Sequence, residues 1–260
     1  VTAHRQAIAH AFAGAQAYDE HARIQRETAR TLARRIAGLT LPTAPRVLEI
    51  GCGTGFLTQA LREQGVAGEW LVTDLAPAML ERAQARLSSS PGPDPAARLS
   101  FAQLDGEHGS PAGGPFDLIC SSLATQWFTS EPAALERWRQ WLAPGGQIVV
   151  ATLGPGTFAQ WRAAHAAEGL RPGTLPFTAP DAFASLGPAE LSIEHHHERH
   201  ADARAFLHSV RAIGAHTAAP GHQPLSAAAL RRVMRRFEAA GAISAYEVVT
   251  CRLERATDPA

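Results

Sequence analysis

Three glycines and three carboxylates carry the chemistry that can be read directly from this chain. Gly51, Gly53 and Gly55 alternate in the run Val47-Leu48-Glu49-Ile50-Gly51-Cys52-Gly53-Thr54-Gly55, with Glu49 set into the apolar stretch that precedes them. A residue without a Cβ lets the backbone turn tightly and approach a ligand. The spacing is G-x-G-x-G, not the G-x-G-x-x-G that seats a pyrophosphate. Asp74 ends a second apolar run twenty-three residues after Gly51. A carboxylate at that distance is placed to accept hydrogen bonds from both hydroxyls of a ribose, and it would also serve as a helix N-cap ahead of Pro77. Asp105 follows a third apolar run as part of an Asp-Gly pair, which has turn chemistry of its own. On the glycines alone, the reading is a nucleoside-type ligand held where a strand meets a helix.

The elements that must position these residues follow from periodicity. Short apolar runs alternate with stretches of helical spacing, the pattern of a parallel sheet covered by helices. Strands are expected at 46–50, 70–73, 99–103, 116–121, 147–152, 189–195 and 246–253, and helices at 21–39, 55–64, 77–87, 132–142, 156–168, 202–214 and 226–239. Pro77 and Pro132 suit first-turn positions, where a missing N–H is harmless. Pro144-Gly145-Gly146 is expected to break the chain ahead of the fifth strand, and the Ser/Pro/Gly stretch 88–95 to form an exposed linker. The domain reading is a core over 46–200 completed by a last strand and tail in 243–260, an N-terminal helical cap over 1–45, and a helical insertion over 201–242. Cap and insertion are read as a lid over the carboxyl ends of the strands, where open α/β sheets bind ligands. Two ordinary packing helices are the plain alternative.

Bulk composition narrows the function classes. At 260 residues, 45% hydrophobic and 18% charged, the chain has the make-up of a soluble globular protein able to bury a full core. Its formal net charge of zero gives no global reason to expect nucleic acid or a membrane surface as partner. No apolar run approaches the ~20 residues of a transmembrane helix, and no signal design is visible, so a cytoplasmic protein is expected. Cys52, Cys120 and Cys251 are far apart and lie in or beside apolar runs, as reduced, packed thiols would. All basic residues are arginine, which reads as coding bias. The tract His195-His196-His197 with Glu198 and His200 looks metal-binding, but adjacent strand residues face opposite ways and cannot converge on one ion, so no metal is expected.

The glycine run with Glu49 before it resembles the first motif of S-adenosylmethionine-dependent methyltransferases. Phe116-Asp117-Leu118-Ile119-Cys120-Ser121-Ser122-Leu123 resembles that family's fourth strand and the segment after it, so four motifs stand in order over about eighty residues. The resemblance implies a Rossmann-like, seven-stranded class I α/β fold with helices on both faces. It also implies that Glu49, Gly51, Gly53 and Gly55 hold the amino-acid end of S-adenosylmethionine. Asp74 would hold the ribose hydroxyls and Asp105 the adenine amino group, Leu123 and the backbone around Ser121 would lie beside the sulfonium, and Leu75, Met79 and Gly106 would be further cofactor contacts. The product cofactor would be S-adenosylhomocysteine.

Segments outside these motifs resemble the malonyl-acyl-carrier-protein O-methyltransferases of biotin synthesis. The match lies in Phe12 to Gln25 with its Tyr18-Asp19 and His21-Ala22, in Ser122-Leu123-Ala124-Thr125-Gln126-Trp127, in Ala151 to Phe158, and in Val210-Arg211-Ala212-Ile213-Gly214-Ala215-His216-Thr217. Ser122 stands where many relatives carry Asn. The implied reaction is methylation of the free carboxylate of malonyl-acyl carrier protein, with a monomeric enzyme and no nucleic-acid or membrane partner. A carboxylate of pKa about 4 is already ionised at neutral pH, so the absence of a Ser/His/Asp or Cys/His arrangement is expected. What remains is in-line approach of oxygen and methyl carbon to about 3 Å in a dry pocket. Tyr18, Gln126 and Arg211 are the candidate catalytic residues, the first two positioning by hydrogen bond and Arg211 holding the carboxylate or the carrier's phosphopantetheine. His21, Gln25, Trp127 and His216 are the candidate substrate contacts. Arg231-Arg232 and Arg235-Arg236 repeat at i, i+4 and form either a solvated face or a dock for an acidic carrier. Competing readings are a methyltransferase for a small free acid such as trans-aconitate, one for a quinone-like carbon, and a non-catalytic module retaining the fold.

Overall fold

In β1 (Arg46–Ile50) every residue from Val47 to Ile50 is buried, Glu49 included, which is the mark of a central parallel strand. In the computed structural model, which describes residues 3–89 and 98–257, this strand sits in the middle of a seven-stranded sheet of order β3-β2-β1-β4-β5-β7-β6. The chain opens with α1 (Ala3–Ala13), α2 (Tyr18–His21) and α3 (Arg23–Ala37). After β1 come α4 (Phe56–Glu63), β2 (Glu69–Asp74), α5 (Pro77–Ser89), β3 (Arg98–Gln103), β4 (Phe116–Ser122), α6 (Glu131–Arg139) and β5 (Leu142–Leu153). The last third holds α7 (Ala159–Ala166), α8 (Pro180–Ala184), β6 (Glu190–Arg199), α9 (Ala203–Ala212), α10 (Ala227–Ala239) and β7 (Ile243–Glu254). β1 to β5 pair in parallel, while β7 runs antiparallel to both β5 and β6.

Alternation along the strands divides the core in two. Val47, Val72, Cys120 and Val149 pack under Leu32, Ile36, Leu57 and Leu61 of α3 and α4. Leu48, Ile50, Ile119 and Ile148 face the other way onto Leu135 and Trp138 of α6. A third cluster lies off the sheet, where Trp161 of α7, Phe206 of α9 and Phe237 of α10 meet with ring centroids 5.0–5.5 Å apart. The insertion between β6 and β7 therefore has an apolar anchor of its own. Strand order reverses between β1 and β4, and the crevice at their carboxyl ends is where an open sheet of this kind takes a ligand.

Several boundaries depart from the sequence expectations. A helix over 3–13 precedes the one expected from 21, and that longer helix is interrupted at Ala22, whose ψ of 47° is not helical. Pro144-Gly145-Gly146 does not end the strand but forms a bulge inside it. Phe116 pairs with Leu142 and Leu118 next with Gln147, and Gly145 adopts φ +75° within the bulge. β6 extends to Arg199, so the histidine tract lies on an edge strand where His195 and His197 are exposed and His196 turns the other way. All three cysteines are buried free thiols. The linker expected at 88–95 lies, from residue 90 onward, outside the described residues. Among the described residues, no helix is long and apolar enough to cross a membrane.

Candidate active site

At the end of β1 the chain must turn without side chains, and each glycine has its own reason. Gly51 adopts φ +72°, and a Cβ there would sit 2.3 Å from the Cβ of Ala124, so the turn packs directly on the segment after β4. Gly53 adopts φ +54° and faces open space, its nearest prospective neighbour being the Tyr18 hydroxyl at 3.8 Å. Gly55, at φ +88°, enters α4 and backs onto Ala83 instead of the cavity. Asp74 ties this turn to β2. Its carboxylate accepts the Gly53 N–H at 2.9 Å and the Ala76 N–H at 2.8 Å, the second bond shaping the entry to α5. Glu49 is buried and accepts a hydrogen bond from the Thr58 hydroxyl of α4. Burial, with a smaller contribution from Asp74, pushes its carboxyl up to about 7, and burial raises Asp74 as well. Two acids that resist ionising thus lie under an open glycine turn, a setting that favours a ligand bringing positive charge or hydroxyl donors.

Leu75, Met79, Leu104 and Gly106 form one wall of this first cavity. Gly106 admits no side chain, since a Cβ would meet Ile50 at 2.3 Å. The other wall is α1, which contributes Arg5, Ile8, Ala9 and Phe12. Arg5 fastens that helix in place, with its guanidinium 2.8–2.9 Å from both carboxylate oxygens of Asp105 and 3.2 Å from Glu107. Asp105 also accepts the N–H groups of Glu107 and His108, each at 3.0 Å.

Phe12, Tyr18, Gln25, Leu123 and Trp127 line both this cavity and a second one, so the two meet at these five side chains. Leu123 holds a left-handed φ of +51°, costly for a branched residue. It is held there by its N–H to Ala151 O at 2.8 Å and by the Gln126 amide donating to its carbonyl at 2.7 Å. Beneath lies Glu131, buried, taking the hydroxyls of Thr125 at 2.5 Å and Thr152 at 2.6 Å; burial raises its pKa. Tyr18 stacks on Phe56 and tilts against Phe12, and Trp127 meets Phe12 edge-on at 5.4 Å. The second cavity, about 400 Å³, is walled by Phe158, Trp161 and Phe206, by Val210 and Leu230 of the insertion, and by the loop around Phe177. Its polar lining groups include Gln126, His165, His216 and His222. His165 is buried, its Nδ1 2.9 Å from Trp161 O, and desolvation lowers its pKa.

The sequence-expected residues separate accordingly. Glu49, Gly51, Gly53, Asp74, Leu75, Met79, Gly106 and Leu123 come together around the first cavity, joined by Tyr18, Gln25 and Trp127 at the junction. Gln126 and His216 line the second. Five residues line neither. Asp105 is engaged by Arg5, Gly55 caps α4, and Ser121 donates to Ile50 O at 2.7 Å inside the sheet. His21 lies edge-on against His208, and Arg211 is exposed on α9. Sequence reasoning missed Arg5, Ile8, Leu104 and Phe128 of the first cavity. It also missed Glu131, whose only local signal was an acid beside Pro132 in the first turn of a helix.

Residues 47–146 match a family model described as a methyltransferase domain. The chain is similar to the biotin biosynthesis bifunctional protein BioCD of Bordetella avium, 44% identical over 236 residues. That match covers 90% of this chain and 49% of the relative, so the chain spans about half that protein's length. It is also similar to a malonyl-(acyl-carrier protein) O-methyltransferase of Magnetococcus marinus, 39% identical over 233 residues, covering 86% of this chain and 82% of that one. Among solved structures, the YcgJ protein of Bacillus subtilis matches with a TM-score of 0.60 at 13% identity, covering 88% of this chain and 99% of that one, a likeness of fold alone.

Proposed function

This chain belongs to the malonyl-(acyl-carrier protein) O-methyltransferase family, and we propose that it transfers a methyl group from S-adenosylmethionine to the free carboxylate of a malonyl group carried on an acyl carrier protein. The methyl ester so formed would open pimeloyl synthesis for biotin. The observation that carries the reading is the junction, across Tyr18, Leu123 and Trp127, of two cavities that differ in charge, one lined by the glycine turn with Glu49 and Asp74 and one lined by no carboxylate.

The first cavity fits the cofactor on its own chemistry. Glu49 has one carboxylate oxygen bonded by Thr58, and an ammonium group would favour its ionised form. Gly53 leaves open the space a Cβ would fill, and Leu75, Met79 and Leu104 offer apolar surface for a base. Each Asp74 oxygen takes one backbone N–H and retains acceptor capacity for a ribose hydroxyl. Ser122 Oγ is buried beside this cavity with no hydrogen-bond partner among the described residues. When bound, S-adenosylmethionine supplies an electrophilic methyl group. For Asp105, support favours a role in fastening α1 through Arg5 over direct contact with adenine.

Acceptor chemistry asks little of the protein in proton transfer, because the attacking carboxylate is ionised at neutral pH. Tyr18 orients at the junction and Gln126 on the second cavity's side of it, and Trp127 walls it. Burial together with the nearby Asp74 and Asp19 carboxylates raises the Tyr18 hydroxyl's pKa, so it stays a neutral donor. Neutral donors are what the reaction favours over a cluster of cations, since strong cationic binding of the carboxylate would stabilise the ground state more than a charge-neutralising transition state. We read 201–242, with the N-terminal helices, as the lid that keeps water out. The test is a labelled-methyl assay offering malonyl-acyl carrier protein, malonyl-CoA, free malonate and trans-aconitate side by side. Label should appear foremost in the carrier-bound substrate, and label confined to aconitate would overturn the proposal.

A further inference from the structure

The second cavity opens where its lining residues are themselves exposed, at His216, Ala218 and Pro224 in the connection between α9 and α10. Charge around that mouth is one-sided. Residues 201–242 contain six arginines and two acids, in a chain whose net charge is zero. Both acids are engaged by backbone at helix α9, Asp202 accepting the Ala205 N–H at 2.7 Å and Glu238 the Ala203 N–H at 3.1 Å.

The arginines of α10 divide into two stripes with different roles. Arg232 and Arg236 each donate to Glu168, at 2.8 and 2.9 Å, and so fasten α10 to the end of α7. Arg231 and Arg235, one turn apart, are exposed, and their guanidinium groups have no hydrogen bond or ion pair with any described residue; Arg211 on α9 is alike in both respects. Arg231 directly follows Leu230 and Arg211 directly follows Val210, and both of those apolar residues line the cavity. Arg231 and Arg211 are thus each next in sequence to a residue of the channel wall, and Arg235 lies one helical turn beyond Arg231, while Arg232 and Arg236 tie α10 to α7.

We propose that Arg231 and Arg235, together with Arg211, form the docking surface for the acidic face of an acyl carrier protein whose arm enters between residues 216 and 224. The proposal rests on the carrier-bound substrate argued above. Its carrying argument is charge complementarity: a lid of net positive charge on a neutral protein attracts an anionic partner locally, and does so at the mouth that a tethered substrate must use. Attraction of this kind acts on encounter and is screened over about 8 Å at physiological salt, so it affects the protein-borne substrate and not the arm alone.

The experiment compares the wild type with an Arg231→Glu/Arg235→Glu variant on malonyl-acyl carrier protein and on malonyl-pantetheine, at low and at high salt. At low salt the variant's kcat/KM on the carrier substrate should fall roughly tenfold or more, mainly through KM. Salt should slow the wild type on the carrier and leave the variant nearly flat. Malonyl-pantetheine should be turned over within about twofold of wild type. An Arg231→Gln/Arg235→Gln variant, which removes charge without reversing it, should lie between. No loss on the carrier substrate, or equal loss on both substrates, overturns the dock. A wild type that methylates neither thioester overturns the assigned reaction, and the dock with it.

Discussion

Replacing Glu49 by Gln should make the cofactor-free protein more stable at alkaline pH while weakening the cofactor site. Burial pushes this carboxyl from 4.5 up to about 7, which at 1.36 kcal/mol for each pH unit amounts to about 3 kcal/mol. The sign follows from proton counts. Below pH 4.5 the group is protonated whether the chain is folded or not. Between 4.5 and 7 the unfolded chain has lost the proton and the folded chain still binds it, so stability falls as pH rises, and above 7 the loss is complete. Asp74, also raised by burial, adds a slope of the same sign. Urea denaturation of wild type and Glu49→Gln at pH 5, 6, 7 and 8 measures the difference. The variant should show the shallower decline and be about 3 kcal/mol more stable at pH 8, with Tm higher by about 2–4 °C per kcal/mol. Calorimetry at pH 6 should show cofactor binding to the wild type releasing a proton, since a cationic ligand favours ionised Glu49, and the variant binding more weakly with no such release. Parallel stability–pH lines for the two proteins would refute the reasoning.

Three other perturbations test the geometry. Gly51→Ala combines a left-handed φ, costing about 1–2 kcal/mol, with a 2.3 Å approach to Ala124; denaturation should show at least that loss, and cofactor titration should show a damaged site. Arg5→Gln leaves Asp105 and Glu107 without their cation in a pocket where Arg5 is 6% exposed. Hydrogen exchange over residues 3–13 should accelerate and cofactor dissociation quicken, with a stability loss of roughly 3–5 kcal/mol, the scale for breaking one side of a buried pair; unchanged exchange would show that α1 is held by its apolar face alone. Tyr18→Phe removes a hydroxyl that bonds to no described residue. Stability should stay within about 1 kcal/mol and cofactor affinity should hold while kcat falls; equal turnover would reduce Tyr18 to a packing role.

How much was legible without coordinates depends on the range of the interaction. β1 and β4 could be placed because buried parallel strands are continuous apolar runs, and the glycine turn because its conformations are forbidden to other residues. The bulge at Pro144-Gly145-Gly146 was read as a break, since proline and glycine report local backbone freedom and not whether neighbouring strands close around it. The left-handed Leu123 had no local signal, because its conformation is imposed by Ala151 and Gln126.

The sequence by itself determined the sheet, the acids beside the glycines, and the order of the motifs, all of which rest on periodicity and on single-residue chemistry. Tertiary structure decided which of those groups are available. Asp105 is engaged by Arg5 from a hundred residues away, two of the four α10 arginines are claimed by Glu168, and the second cavity is assembled from α3, the 3-10 turn at Thr125–Trp127, α7, α9 and α10. An amphipathic helix announces which face it buries, but its partner is set by how the helices pack, and that information is spread over the whole chain.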